Sequence, residues 1–448
     1  MKEVPPESLR PPLREPRLRV GVVLEGDAVS QLTLEIPTDG YRLEAGSELF
    51  PGALMVRFHD ERQMQVHDET RKSIFSGESL CIVPPPSQTL APRSGIKVSP
   101  VIAGRSFHWK KEIAPFLPGT IEIHAREGSL LLVNELSFEQ YLACVVSSEM
   151  SAACPEEFVK AQAIAARSWA FVFLRNKHNH PLYTICNDDD CQRYQGTTHL
   201  QDKTLKSLKD CSGEFLLDEA GSVVPAYYSK SCGGKSEDDS NVFGFRAPGN
   251  TSVVDSSIPI PLNLADDSQF TEFLNSPGER FREYCGEQFV SSKMLPHYLG
   301  AVDEAVDYCR WHYELSADRL LDKLKTTFGY SCPIKLLGLK PGTRGPSGRY
   351  LYFSIFFRND DHDVVHLLAN QYEIRRAFHE SFLYSSAFTF RTEKNNDGAI
   401  SKIYFSGTGW GHGVGLCQIG ALGMALDGVK AHEILKHYFS NVSIVKTY

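Results

Sequence analysis

The chain has 448 residues. A single hydrophobic core usually organises fewer residues than this, so two domains or one elaborated domain is expected. With 42% hydrophobic and 23% charged residues, its composition is that of a folded globular protein and excludes a disordered or collagen-like chain. The formal net charge of −8 lacks the basic excess that phosphate backbones or anionic membranes attract, so a nucleic-acid partner is disfavoured.

Membrane insertion and disulfide stapling are also disfavoured by the sequence. No stretch approaches the roughly 18 consecutive apolar residues that a bilayer span needs. Residues 1–16 are rich in Pro and charge and lack the apolar core of a secretory signal peptide, so either the chain is cytoplasmic or its export signal lies outside this sequence. The 11 Cys are an odd number scattered along the chain, which is not a dense disulfide framework and does not fix the redox compartment.

The first part of the chain is predicted to be a small β-rich domain. After the Pro-rich lead, residues 17–23 have strand character, and segments of β character punctuated by Gly and Pro continue to residue 56. A loop-rich stretch follows at residues 84–100. We place the domain boundary near residues 115–118, which gives an N-terminal domain over 1–118 and a second domain over 119–448.

The second domain is predicted to open with a hairpin and two helices. Residues 120–133 alternate in polarity around Glu127 and Gly128, as a hairpin does. Ser137 and Gln140 have the spacing of a capping box and open a helix that should stop near residue 147. Pro155 opens a second, Ala-rich helix to about residue 174, which is apolar over more than half its circumference.

Downstream, strands alternate with loops and short helices, so the fold class is predicted to be α+β. Residues 213–228 indicate two strands, followed by the polar run Ser-Lys-Ser-Cys-Gly-Gly-Lys-Ser at 229–236. Residues 247–328 read as an insertion or lid of loops and short helices, such as one after Ser316. Strands return at 350–357 and 363–368, and the block 404–439 reads as a strand, a glycine-rich segment and two helices.

Glu149 is the first candidate for chemistry. It is predicted to lie in the short polar connection 147–150 between two apolar helices, where it would be held in place and partly desolvated. Desolvation raises the pKa of a carboxyl toward the range in which it works as a general acid. The structural alternative is a salt-bridged or helix-capping Glu, which is common near helix starts.

The glycine-rich segment 407–415 is the second candidate. It has Gly at every second position, with Trp410 and His412 between them. Such a backbone can pass close to a ligand, Trp410 offers a flat face for sugar or base rings, and His412 can exchange protons. The alternative is a tight glycine loop with a core Trp and a hydrogen-bonded His. The pattern excludes a phosphate-binding P-loop.

A third candidate is a cluster of metal-binding residue types after the second helix. Its members are His178, His180, Cys186, Asp190 and Cys191. Side chains of these types can surround zinc, although the spacing is not that of a C-x-x-C pair. A polar loop with two incidental thiols is the alternative.

Several blocks of the sequence, taken in order, resemble those of the SpoIID/LytB family, the stage II sporulation protein D group of peptidoglycan enzymes. They are VNELSFEQYLACVVSSEMSAACPEEFVKAQAIAARSWAF at 133–171, YYSKSCGGKSEDDSNVF at 227–243, EIRRAFHESFLYSSAFTF at 373–390, and GTGWGHGVGLCQIGALGMALDGVKAHEILKHYF at 407–439. The resemblance covers about residues 119–442. It implies a SpoIID-like catalytic domain with the insertion 247–328, preceded by the β-rich domain.

The resemblance also implies an activity. The family's lytic transglycosylases cut the β-1,4 bond between N-acetylmuramic acid and N-acetylglucosamine in peptidoglycan and leave a 1,6-anhydro-muramyl end. The family's catalytic Glu falls on Glu149, and one carboxyl suffices as general acid and then general base. No cofactor is required for this reaction.

Further site residues follow from the same resemblance. The positions expected to bind substrate are Gln162, Arg167, Tyr227, Ser231, Lys235, Trp410, His412 and Gln418. Some family members hold zinc in the loop after the long helix, so a structural zinc at His180, Cys186 and Cys191 is expected there.

Two other functions stay open at the level of sequence. The chain could be a non-catalytic wall-binding module that enhances an N-acetylmuramoyl-L-alanine amidase, as LytB-type relatives do, or a hydrolysing muramidase. The expected partners are glycan strands and a cell-wall amidase or a division or sporulation complex. The substrate implies a location in the cell envelope or periplasm.

Overall fold

The computed structural model describes most of the chain. The described residues are 8–37, 40–44, 48–49, 51–60, 62–105, 109–175, 177–258, 260–276, 278–300 and 307–448. They form two compact units. The N-terminal unit comprises the described residues of Pro6–Pro225, His297–Asp303 and Ser443–Tyr448, and the C-terminal unit those of Ala226–Pro296 and Glu304–Val442.

Strands and helices both contribute to the fold. The strands are β1 (Arg17–Val23), β2 (Gln31–Ile36), β3 (Arg42–Leu43), β4 (Gly52–Asp60), β5 (Gln63–His67), β6 (Ser73–Gly77), β7 (Ser79–Val83), β8 (Ile96–Ser99), β9 (Val101–Ala103), β10 (Lys111–Ile113), β11 (Phe116–Leu117), β12 (Thr120–Arg126), β13 (Ser129–Ser137), β14 (Ile185–Cys186), β15 (Glu214–Leu217), β16 (Tyr228–Ser229), β17 (Arg310–Ser316), β18 (Pro333–Pro341), β19 (Phe353–Asn359), β20 (His362–Leu368), β21 (Phe388–Lys394), β22 (Ile400–Thr408), β23 (Leu416–Cys417) and β24 (Ser443–Lys446). The helices are α1 (Phe138–Glu149), α2 (Glu156–Phe173), α3 (Asp202–Asp210), α4 (Asp239–Phe243), α5 (Asp267–Asn275), α6 (Gly278–Phe281), α7 (Leu295–Leu299), α8 (Ala317–Thr326), α9 (Gln371–Ala377), α10 (Gln418–Leu426) and α11 (Ala431–Tyr438).

The N-terminal unit is built on two larger sheets. One has the strand order β14-β1-β13-β12-β7-β3, and the other the order β11-β8-β2-β4-β5-β6. In β12 and β2 alternate side chains are buried, because successive residues of a strand point to opposite faces of the sheet. The predicted hairpin is confirmed as β12 and β13, with Glu127 and Gly128 at positive φ of 42° and 87° in its turn.

Helix α1 begins at the predicted capping box and runs further than predicted. Ser137 Oγ accepts a hydrogen bond from the Gln140 N–H at 3.4 Å, and Gln140 Oε1 accepts one from the Ser137 N–H at 3.1 Å. The helix continues to Glu149 because the Met150 N–H still donates to the Val146 carbonyl at 3.2 Å. The prediction that Glu149 lies in a connection beyond the helix was therefore wrong, since it is the helix's last residue.

Helix α2 is buried on most of its faces, as its Ala-rich sequence predicts. It carries Arg167, whose side chain is fully buried and forms two hydrogen bonds to Glu139 of α1, at 2.9 and 2.7 Å. The Tyr448 hydroxyl donates to the same carboxylate at 2.7 Å. The fully buried Arg167 guanidinium and the partly exposed Glu139 carboxylate thus form an ion pair between α1 and α2.

The C-terminal unit contains two three-stranded sheets in its described part, β17-β22-β21 and β18-β19-β20. The core between these strands and α8 and α9 is rich in aromatic side chains, among them Trp311, Phe353, Phe388 and Phe405. Helix α8 starts at Ser316, whose Oγ accepts a hydrogen bond from the Arg319 N–H at 3.3 Å. The helix predicted after Ser316 is confirmed.

The fold class is α+β with a β-rich N-terminal region, as predicted. Strands from both sides of residues 115–118 share one sheet, since β1 pairs with β13 and β7 pairs with β12. The separate domain over 1–118 stays a prediction, and parts of it and of the segment 247–328 lie outside the described residues. Among the helices of the described ranges, none is both long and apolar enough to cross a bilayer.

Candidate functional site

Glu149 ends α1 with its side chain buried, only 8% exposed. Its Oε1 accepts a hydrogen bond from the backbone N–H of Arg193 at 3.3 Å. Burial favours the neutral form of a carboxyl, whereas an N–H donor favours the ionised form. Burial of this side chain therefore opposes the loss of its proton, and the Arg193 N–H supports that loss.

The segment that supplies this N–H is fixed against both helices. Gln192 accepts a hydrogen bond from the Tyr141 hydroxyl of α1 at 3.0 Å and donates one to a carbonyl of α2 at 3.1 Å. The Gln195 N–H donates to Ser148 Oγ at 3.2 Å. With contacts on either side of Arg193, its main chain is held beside the end of α1.

Arg193, Asp189 and Trp109 are residues that the sequence analysis does not identify. The Arg193 guanidinium makes two hydrogen bonds of 3.1 Å to the Asp189 carboxylate and lies over the Trp109 ring, 4.6 Å from its centroid. Trp109 Nε1 donates to the same carboxylate at 3.0 Å. Since Trp109 is 80 residues from Asp189 in the sequence, no local pattern signals this contact.

A group of metal-binding side chains lies a few residues before Arg193. The His178 group consists of His178, Cys186, Asp190 and Cys191, whose ligand atoms all lie within 4.8 Å of one another. The two sulfurs are 3.6 Å apart, and His178 Nε2 is 3.2 Å from the Cys191 sulfur. Two thiolates on a tetrahedral zinc, each about 2.3 Å from the metal, are about 3.8 Å apart. Two thiols, an imidazole and a carboxylate at these distances fit zinc.

The structure places His178, and not His180, in this group. The His180 ring stacks on Tyr183 with 4.2 Å between centroids, and its Nε2 lies 3.6 Å from a carboxylate oxygen of Glu25. Contact with Cys191 and the nearby His178 lower the pKa of Cys186 to about 6, which favours the thiolate that a metal needs. Of the five residues in the cluster that the sequence analysis identifies, His178, Cys186, Asp190 and Cys191 thus lie together and His180 lies outside the group. Metal binding by this group stays a prediction.

In the C-terminal unit, the structure brings Ser231 and Trp410 together. The Ser231 N–H donates to the Trp410 carbonyl at 3.1 Å, and the Trp410 N–H donates to the Ser231 carbonyl at 2.8 Å. The Trp410 ring stacks on Tyr384 with 4.7 Å between centroids and is partly exposed. The Cys-Gly-Gly run and the glycine-rich segment are thus neighbours, although they are far apart in sequence.

Tyr227 and His412 are linked through Phe243. Tyr227 stacks on Phe243 at 4.3 Å, and the His412 ring packs edge-on against the same phenyl ring at 5.5 Å. His412 Nδ1 accepts a hydrogen bond from the Val414 N–H at 3.0 Å. Burial, with the positive charges of Arg349 and Arg375, lowers the pKa of His412 to about 3. The imidazole is therefore neutral near pH 7.

Arg349 explains part of the glycine pattern that the sequence analysis interprets as ligand access. Its buried guanidinium donates to the carbonyls of Ser231, Cys232 and Gly411, at 3.3, 3.1 and 3.2 Å. At Gly413, which has a φ of 79°, a Cβ would lie 2.5 Å from the guanidinium carbon. The backbone needs glycine here to pass close to a buried cation.

The remaining predicted substrate-binding residues are mostly enclosed. Lys235 Nζ donates to the Leu262 carbonyl at 2.6 Å, and burial lowers the pKa of this lysine. Gln162 and Gln418 are 0% and 1% exposed, and Arg167 binds Glu139. Glu149, Gln162, Arg167, His180, Cys186 and Cys191 belong to the N-terminal unit, and Tyr227, Ser231, Lys235, Trp410, His412 and Gln418 to the C-terminal unit. Their use as one site stays a prediction.

Comparison with known proteins gives two family matches. Residues 126–217 match the SpoIID family, described as stage II sporulation protein, and this stretch contains Glu149 and the His178 group. Residues 250–415 match a domain of unknown function, which covers most of the C-terminal unit.

Two curated relatives are similar to much of the chain. An uncharacterized protein of Brachyspira hyodysenteriae is 26% identical over 320 residues, covering 71% of this chain and 69% of that protein. A Bacillus subtilis protein named amidase enhancer is 24% identical over 310 residues, covering 67% of this chain and 39% of that protein. The SpoIID family is associated with lytic activity on the cell wall. The resemblance inferred from the sequence blocks is confirmed over residues 126–217, where this chain is similar to the SpoIID family.

Proposed function

We propose that the protein is a peptidoglycan lytic transglycosylase in which Glu149 is the general acid and then the general base. The substrate is the bond between N-acetylmuramic acid and N-acetylglucosamine in glycan strands, and the product carries a 1,6-anhydro-muramyl end. The place of action is the cell envelope, where this substrate lies.

One observation carries the proposal: a carboxyl buried at the end of α1, within the SpoIID match, accepts a hydrogen bond from the Arg193 main chain. A general acid and base must hold a proton before the reaction and lose it during the reaction. Burial supports the first state and the N–H donor supports the second.

The reaction needs no water and no second carboxylate. Protonated Glu149 gives its proton to the glycosidic oxygen as the bond from that oxygen to C1 of N-acetylmuramic acid breaks. The ionised carboxylate then takes the proton of the C6 hydroxyl while the C6 oxygen bonds to C1. Glu149 ends in the protonated state in which it began.

The other residues would bind and position. Trp410 offers a partly exposed ring on which a sugar can stack, and Tyr227, Ser231, Lys235, His412 and Gln418 are proposed to line the substrate path with it. In the N-terminal unit, His178, Cys186, Asp190 and Cys191 would hold a zinc ion. The metal would supply positive charge for the two thiolates and restrain the segment that carries Arg193.

The test is mass spectrometry of the muropeptides released from glycan strands by the purified chain. Wild type should release anhydro-muramyl products, and Glu149→Gln should release none, because the amide has no proton to donate as an acid. Glu156→Gln on α2 is the matched control, since that carboxylate is partly exposed and pairs with Lys160. Anhydro products from a folded Glu149→Gln variant would contradict the assignment.

A second function is favoured by the Bacillus subtilis relative, which is named an amidase enhancer. In that case the chain would bind glycan strands and stimulate an N-acetylmuramoyl-L-alanine amidase without making chain ends of its own. An added amidase would then release more free stem peptide, and Glu149→Gln would stimulate as well as wild type. A hydrolysing muramidase would instead leave a reducing sugar, which the same spectra distinguish from an anhydro sugar.

A further inference from the structure

A second group of metal-binding side chains lies in the core of the C-terminal unit. The Cys232 group consists of Cys232, Asp255, Cys285 and Cys417, and their ligand atoms all lie within 4.8 Å of one another. Cys285 is 2% exposed, and the other three are fully buried. Three thiols and a carboxyl from four separate segments are an unusual set to find together in a core. The carboxyl is the least expected of them, because a buried carboxylate is unfavourable unless other groups bind it.

The carboxylate is already oriented as a metal ligand is. Asp255 Oδ2 lies 3.1 Å from the Cys232 sulfur, within the group. Its other oxygen, Oδ1, accepts a hydrogen bond of 2.7 Å from the Tyr438 hydroxyl and lies 3.5 Å from His437 Nε2. Hydrogen bonds from outside fix the direction of a ligating carboxylate, and this arrangement supplies them.

The Cys417 sulfur is placed to carry negative charge. It accepts hydrogen bonds from the backbone N–H groups of Cys232 and Gly420, both at 3.2 Å. Cys417 is the N-cap of α10, so the N–H groups of the first turn point toward its sulfur. The Arg349 guanidinium, which binds the Cys232 carbonyl at 3.1 Å, adds a buried positive charge nearby.

The packing is tight on one side of the group. A Cβ at Gly420 would lie 2.4 Å from Asp255 Oδ2 and 2.3 Å from the Tyr438 hydroxyl. On the other side, Cys285 lines a pocket of about 450 Å³, together with Cys309 and Ile419. Cys285 is thus the member of the group that borders this pocket.

We propose that Cys232, Asp255, Cys285 and Cys417 bind a second metal ion, a structural zinc. Soft thiolates select zinc over magnesium or calcium, and four protein donors complete its tetrahedral shell. Asp255 and Cys285 belong to the stretch that matches a domain of unknown function, whereas Cys232 and Cys417 flank that stretch. The ion joins the first part of this stretch to the segments that precede and follow it.

The test counts zinc in the full-length chain by mass spectrometry of the metal. Cys186→Ser/Cys191→Ser, which disables the His178 group, should retain about one equivalent of zinc. Combining it with Cys232→Ser/Cys417→Ser should remove that equivalent. Cys332→Ser is the matched control, because this thiol is exposed and outside both groups.

A spectroscopic measurement guards against loss through misfolding. After a chelator has removed its zinc, the Cys186→Ser/Cys191→Ser chain should give thiolate-to-metal charge-transfer absorption when cobalt is added, and Cys285→Ser should weaken this absorption. Absence of zinc and of cobalt absorption in a folded Cys186→Ser/Cys191→Ser chain would overturn the proposal. So would a mass lower by two hydrogens that maps a disulfide to two of the three thiols.

Discussion

The hydrogen bond that Glu149 Oε1 accepts comes from the main chain of Arg193, 3.3 Å away. Any residue except proline supplies an N–H, so the identity of residue 193 does not decide whether this bond exists. What decides it is the placement of the segment, through Gln192, Gln195 and the Arg193–Asp189 pair. The sequence therefore indicates the carboxyl but not its donor.

The protonation of His412 should make the stability of the folded chain depend on pH. Its pKa is lowered in the folded chain from 6.5 to about 3, so the unfolded chain binds more protons between these values. The contribution of this residue to the free energy of unfolding is therefore at its full value above about pH 6.5 and decreases as the pH falls toward 3. Lowering the pH from about 7 to about 5 should therefore lower the unfolding midpoint in urea more in wild type than in His412→Gln.

The comparison with His412→Gln matters because other groups also titrate in this range. His312→Gln is the matched control, since that imidazole lies exposed on β17. It should follow wild type. An equal pH response in His412→Gln and wild type would mean that the folded His412 is protonated like an exposed imidazole.

The segment from β14 to Gln195 is the element on which the proposed site depends. It carries Cys186 and Cys191 of the His178 group and then Arg193, within ten residues. A metal ion bound at one end would restrain the amide at the other, because side chains between them already contact α1 and α2.

Disabling that group should loosen the segment. In Cys186→Ser/Cys191→Ser we expect faster hydrogen exchange of the Arg193 amide and a roughly tenfold or greater loss of anhydro-muramyl product, the range seen when groups that support a site are removed. Hydrogen exchange by mass spectrometry and muropeptide analysis measure the two effects. Cys332→Ser should change neither, and unaltered product formation in the double variant would separate this group from the activity.

Elements with local signals were predictable, and those shaped by distant contacts were not. The hairpin of β12 and β13 and the start of α1 follow from turn and cap residues within a few positions. The end of α1 lies two residues beyond the predicted one, because the last turn is completed by Met150 and by Ser148, which binds the Cys144 carbonyl. Position 413 requires glycine because the Arg349 side chain lies against it, and Arg349 is 64 positions away in the sequence.

At the scale of the whole molecule, chain order and spatial order differ. Strand β24, at the end of the chain, pairs with β15 in the N-terminal unit, and β1 pairs with β13. The sequence of a strand does not show which distant strand it pairs with. The segments that make up each unit could therefore not be predicted. The Cys232 group also could not be predicted, since its four members come from segments spread over residues 232–417.

This separation gives a test of whether the second zinc acts on its own unit. In the Cys186→Ser/Cys191→Ser chain, a chelator should speed hydrogen exchange of the Cys232 and Gly420 amides, because both donate to the Cys417 sulfur and that sulfur would lose its metal. Peptides from β12 and β13 should keep their exchange rates, as they lie in the other unit. An equal increase in both sets of peptides would indicate global destabilisation, and no increase in either would indicate that the group holds no metal.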